Sequence, residues 1–291
     1  MTSDGEPSTF EENLRPYLEL IANVGCFTVC YLALIPYFLN RKSANFFGSL
    51  LFFLCACAHF AAIFAVEAVA RVFNTFGLLT ADAILGDGRK EGVLFFLFKT
   101  TAIDFIYVGG TILALDRFLA ITFPVRYSPR CSRKLCFLAV LLSVATFAFI
   151  FVSFVCFPLA SEGFNVNVAI TKIGILFDLM APMEMALHVL FCVQYRRLLS
   201  RQIVKQHSFK AHQITLVQGV SQTIFCLIPK MLHRLNTTFF EKRVEWIRRL
   251  TWYYQLFFSL HILVTCSFMV CKLCLLKRPK VHTVYSSNLK N

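Results

Sequence analysis

The residues with the clearest chemical potential are charged groups set inside apolar surroundings. Asp116 and Arg117 stand together at the end of a long apolar run, followed by Pro124 and Tyr127. An acid next to a base at such a boundary can hold the guanidinium in one arrangement and release it to another partner, which is switch chemistry rather than catalysis. The same pair also reads as solvated charge that ends a helix, with Arg117 reaching toward headgroups. Other ionisable groups fall within apolar runs: His59, Glu67, Lys99, Asp104, Lys172, Asp178, Glu184, His188, Lys230 and His261. Residues of this kind usually face a bundle interior and pair there. Glu67 with Arg71, and Glu184 with His188, have the i, i+4 spacing of neighbours on one helix face.

Lys99, Asp178 and Asp104 are candidate anchors for a small polar ligand, and the opposite signs of Lys99 and Asp178 equally suit an ion pair tying two helices. Asn236-Thr237-Thr238 is a glycosylation sequon. Cys271 and Cys274 are placed for palmitoylation or for plain packing. No metal spacing, phosphate-binding glycine loop or nucleophile elbow occurs, so the reading is of a protein that is not an enzyme and needs no cofactor.

Long apolar elements must position these groups. The chain has 291 residues, 57% hydrophobic and only 15% charged, with 33 Phe. A soluble domain sits near 45–50% apolar and about 25% charged. Seven apolar runs are long enough to span a bilayer: 18–39, 46–69, 93–115, 135–159, 168–193, 214–232 and 251–276. Alternating strand-like polarity is absent, so the expected fold class is all-α, a seven-transmembrane helix bundle forming a single domain over 1–291 with short tails at 1–17 and 277–291. The acidic N-terminus lacks the basic region of a signal peptide, so the first span is expected to drive insertion.

Net charge is +13. The basic residues lie mainly between apolar runs, which argues for topology rather than nucleic-acid binding. Connections on one side hold 17 Lys and Arg against 9 on the other. The positive-inside rule then puts the N-terminus outside and the C-terminus in the cytoplasm. Trp246, Trp252, Tyr253 and Tyr254 are expected in an interfacial aromatic belt. Twelve cysteines lie mostly inside apolar runs and do not form a disulfide framework.

The run from Leu115 to Tyr127 resembles the Asp-Arg-Tyr region of rhodopsin-like G-protein-coupled receptors, with Phe118 in place of Tyr. It is most similar to the nematode chemosensory serpentine receptors, class BC, which the phrase Gln222–Pro229 also resembles. The resemblance implies a chemosensory receptor in the plasma membrane, that of a sensory cilium included. It would bind a small-molecule or odorant ligand from outside and activate a heterotrimeric G protein, alone or as a homo- or hetero-oligomer, among membrane lipids. It assigns Asp116, Arg117, Pro124 and Tyr127 to the switch, with segments 122–126 and 195–205 completing the coupling surface. Cys226 and Pro229 would form a hinge; a simple kink is the other reading of Pro229.

The chain departs from the wider pattern in several places. Leu227 stands where an aromatic toggle is usual, 251–276 has no Pro, the second run has no Asp, the fourth has no Trp, and 208–212 has no carboxylate. Outer-loop cysteines are missing unless Cys156 serves. A transporter or a ligand-gated channel is the competing reading, weakened by the absence of an internal repeat.

Overall fold

The computed structural model describes residues 9–39, 48–78, 93–124, 126–152, 166–200, 206–238, 244, 247 and 253–275. Among the described residues the regular structure is helical, with no strand. The described residues form seven long helices in chain order: α1 (Thr9–Leu39), α2 (Gly48–Thr75), α3 (Val93–Thr122), α4 (Pro129–Phe151), α5 (Val166–Ser200), α6 and α7 (Tyr254–Leu275). α6 is continuous but irregular: Gln206–Gln222, a π-helical turn Thr223–Leu227, then Ile228–Thr238. Among the described residues six helices, α1–α4, α6 and α7, contain a stretch long and apolar enough to cross a bilayer. α5 has 35 residues, about 52 Å of helix; Lys172 and Asp178 belong to the part whose side chains lie outside the described residues.

Burial periodicity explains the packing. On α1 the buried positions are Glu19, Ala22, Asn23, Cys26, Cys30, Ala33 and Leu34, one stripe at helical spacing, mostly of small residues. That stripe lets α1 approach α2 and α7 closely. Cys26 donates to the Ser259 carbonyl at 2.9 Å, Ser259 donates to Asn23 Oδ1 at 2.7 Å, and Cys30 meets Cys266 at 3.6 Å. The opposite α1 face, with Ile21, Val24, Tyr31 and Ile35, is exposed apolar surface of the kind lipid covers. α3 is the axle of the bundle: residues 106–114 are all buried, and it contacts α2, α4, α5 and α6. α4 is peripheral, with Phe137, Leu141, Val144 and Phe149 exposed.

Two adjacent glycines fit α3 between its neighbours. A methyl at Gly109 would press on Phe52 and Phe53 of α2 at 3.3 Å, and one at Gly110 would overlap the Glu184 carboxylate of α5.

Several helix ends differ from the apolar runs. α3 continues to Thr122, so Asp116 and Arg117 lie in its last two turns rather than at its tip. α5 continues to Ser200, and α6 extends at both ends. The reason is that an i to i−4 hydrogen bond forms as well in polar surroundings, whereas an apolar run marks only the lipid-level segment. α3 stops at Thr122 because Phe123 precedes Pro124, and the residue before a proline is disfavoured in helical geometry.

Candidate functional site

The first site is the α3–α4 corner. Beyond Thr122 the backbone makes one further turn: the Phe123 amide donates to the Leu119 carbonyl at 2.9 Å and the Tyr127 amide to the Phe123 carbonyl at 2.8 Å. Ser128 is extended and Pro129 opens α4. Pro124 and Pro129 thus bracket a short, defined corner that brings Tyr127 back over α3. The Tyr127 hydroxyl donates to Asp116 Oδ1. Burial, and then the adjacent Asp116 carboxylate, push the Tyr127 hydroxyl up from its ordinary acidity. Arg117 Nε stands 3.9 Å from Asp116 Oδ2. Asp116 is 1% exposed and Arg117 8%. The carboxylate therefore serves two groups, and its closer partner is Tyr127, which no local spacing rule anticipates.

The second site is interior. Tyr107, Met185, His188, Gln222, Cys226 and Lys230 line a cleft between α3, α5 and α6. Its free volume, about 10 Å³, is that of a single water molecule. Gln222 donates through Nε2 to Glu184 Oε2. Glu184 Oε1 stands 3.6 Å from His188 Nε2. Ser221 Oγ meets His261 Nδ1 at 2.9 Å, joining α6 to α7. Tyr107 and Tyr254 share a 2.8 Å hydroxyl contact, and the Lys230 ammonium sits 5.0 Å above the Tyr107 ring. Asp104 is buried on the same helix as Tyr107, with Lys230 within electrostatic reach and Oδ2 lacking a hydrogen-bond partner among the described residues. Tyr254 thus points into the bundle, not into an interfacial belt; its hydroxyl finds a buried partner there.

Of the two residues of the hinge reading, Cys226 lines this cleft and Pro229 lies just outside its lining. Cys226 is buried within the π turn, and Pro229 is buried just beyond it. The Ile228 amide bonds back to the Thr223 carbonyl, five residues earlier. A π turn next to a proline is a place where the helix can change register.

Lys99 lies apart from the cleft. It reaches Glu67 of α2 at 2.6 Å, Glu67 also takes Arg71 at 2.6 Å, Arg71 stands 3.8 Å from Glu19 of α1, and Glu19 takes Arg15 at 2.7 Å. Five charges therefore tie α1, α2 and α3 at the face that carries the N-terminus. Lys99 has its ion partner on α2; the side chain of Asp178 lies outside the described residues.

Asn236 is 2% exposed, and its amide is fully engaged with the backbone of Val244, donating to the carbonyl and accepting from the N–H at 3.1 Å each. The pairing clamps the segment after α6, and a buried, hydrogen-bonded Nδ2 is poorly placed to accept a sugar. Glycosidase treatment is expected to leave electrophoretic mobility unchanged, and Asn236→Ala to cost about 1–2 kcal/mol of stability in a thermal unfolding assay. Cys271 is exposed near the end of α7; Cys156 and the side chain of Cys274 lie outside the described residues.

Among the described residues no group of three or more His, Cys, Asp or Glu is arranged to hold a metal ion. Sequence reasoning named Glu184, His188, Lys230 and, among the polar residues of the sixth apolar run, Gln222; it missed the glycines that admit the pair. A methyl at Gly219 would press on the His188 ring at 2.9 Å. The only available signal was the Gly109-Gly110 doublet inside an apolar run. No protein-family model matches the chain, and no curated protein matches it.

Proposed function

We propose that the chain is a seven-helix receptor of the plasma membrane that binds a small external ligand and activates a heterotrimeric G protein. The observation that carries the reading is the division of chemistry along the bundle. A polar cleft lies between α3, α5 and α6, while a poised acid–base pair with its tyrosine partner lies at the far end of α3. In this reading α5 is the seventh span, the Lys and Arg distribution sets the N-terminus outside, and the α3–α4 corner is cytoplasmic. A ligand that favours a wider cleft would bias α6 about its π turn, and Arg117 would turn from Asp116 toward the G protein. Basic inner loops suit an acidic partner face and anionic lipid together. The resemblance to nematode chemosensory receptors supports a sensory role.

The test is a screen of small water-soluble and volatile molecules on cells expressing the full chain with a promiscuous G protein. A response that needs the G protein and is lost in Arg117→Ala supports the reading. A ligand-gated current in cells without that G protein contradicts it and favours a channel.

A further inference from the structure

The cleft carries buried polar atoms with nothing to bond. His188 is 7% exposed, and neither ring nitrogen has a hydrogen-bond partner among the described residues; the nearest carboxylate oxygen, Glu184 Oε1, is 3.6 Å away. Gln222 gives its amide N–H to Glu184 and leaves Oε1 without a partner among the described residues. Both side chains line the same cavity. They are held at one level: Gln222 bonds Glu184, one turn before His188, and Gly219, three residues before Gln222, abuts the imidazole. Unsatisfied groups in a buried site bear the full desolvation penalty, so a molecule that pairs with them gains affinity.

Charge decides which molecule that is. Glu184 stands behind the lining, 3.6 Å from the His188 imidazole and bonded by Gln222, Lys230 lines the cleft from α6, and Asp104 lies near Lys230 on α3. An anion would meet Glu184, and an ammonium would meet Lys230. A neutral imidazole offers one N–H and one lone pair, and Gln222 Oε1 offers lone pairs only. A hydroxyl is the smallest uncharged group that can donate to Gln222 Oε1 while accepting from the imidazole N–H. Met185, Cys226 and Leu227 supply apolar wall for a hydrocarbon chain.

We propose that the cleft binds an uncharged aliphatic alcohol, its hydroxyl bridging His188 and Gln222 and its chain lying against Met185 and Leu227. The proposal rests on the reading of this cleft as the ligand site and names the ligand class. The present free volume is too small for such a chain, so binding requires α6 to withdraw from α5. Thr223, Cys226 and Leu227 line the cleft and belong to the π turn itself. A chain lodged there therefore bears directly on the one irregular turn of α6, which couples occupancy to helix register.

The experiment uses the full chain in lipid nanodiscs, without G protein, and follows thermal unfolding with 1-hexanol, hexanoate or hexylammonium. A saturable rise in midpoint with 1-hexanol is expected for the natural sequence and for Lys99→Met. The apparent affinity should fall at least about tenfold in His188→Phe and in Gln222→Leu. Should either variant fail to fold, Met185→Trp fills the cleft from its apolar wall and is expected to give the same loss. Hexanoate and hexylammonium are expected to give no rise. An equal 1-hexanol effect in all folded variants would show bilayer partitioning alone and overturn the proposal. A larger effect of either ion would also overturn it. Absence of alcohol binding alongside intact G-protein activation would sink only the ligand class. Retained alcohol binding without activation would sink only the signalling reading.

Discussion

Arg117→Ala is expected to abolish ligand-driven nucleotide exchange on the G protein while the protein still reaches the membrane and folds. Arg117 is 8% exposed and its Nε stands 3.9 Å from the Asp116 carboxylate. Asp116 keeps its closer hydrogen bond to Tyr127 when the guanidinium is removed, so the corner between α3 and α4 survives. Only the group that would reach the partner is lost, and the expected fall is at least about tenfold in exchange rate at saturating ligand, or about 1.4 kcal/mol. Asp116→Asn has the opposite sign. It removes the charge that favours the resting position of Arg117 and weakens the acceptor of Tyr127. A shift of about 1 kcal/mol toward the active arrangement raises exchange without ligand roughly fivefold. Exchange measured on purified vesicles, normalised to surface expression, distinguishes these outcomes. Normal coupling in Arg117→Ala would show that the pair is structural.

Glu67→Ala is expected to cause the largest loss of stability among single changes of charge in this protein. One carboxylate oxygen accepts from both Arg71 and Lys99 at 2.6 Å, and Glu67 itself is buried. Removing a buried member of such a pair typically costs about 3–5 kcal/mol because the partners keep their charge. Arg71 and Lys99 are each about a third exposed, so water recovers part of that and about 2 kcal/mol is expected. Lys99→Met leaves Arg71 on Glu67 and is expected to cost half as much or less. Heating the detergent-solubilised protein and measuring the fraction that remains monodisperse gives the order. Equal stability of Glu67→Ala and the natural sequence would show that the five-charge cluster contributes nothing.

The contrast between these sites shows what a sequence carries. Long apolar runs and buried stripes, such as Glu19 to Leu34 of α1, follow from the period of the helix, so the all-helical class and six of the seven expected apolar spans were readable. The pairing of Glu67 with Arg71 was readable because i, i+4 neighbours meet by geometry alone. Lys99 with Glu67 was not, since those residues are 32 apart and meet only when α2 and α3 pack. Tyr127 with Asp116 needed the corner at Pro124, which turns the chain back over α3. Pro229 announced a kink, but the π turn beside it depends on how α6 seats against α5 and α7. The Asn236 sequon was legible as a motif, but the contact its side chain makes was not. Its burial depends on the segment at Val244 folding over it, a contact no local pattern encodes. The unsatisfied His188 and Gln222 emerge only once Gly110 and Gly219 are seen to open room between helices.

The side of the membrane on which Arg117 lies decides the account. A tag at each terminus and a cysteine placed at Arg126, at the exposed edge of the α3–α4 corner, can be probed on intact cells with antibody and an impermeant thiol reagent. The N-terminal tag is expected to be labelled from outside, and the C-terminal tag and the corner only after permeabilisation. Labelling of that corner on intact cells, or both termini reacting from the same side, would contradict it.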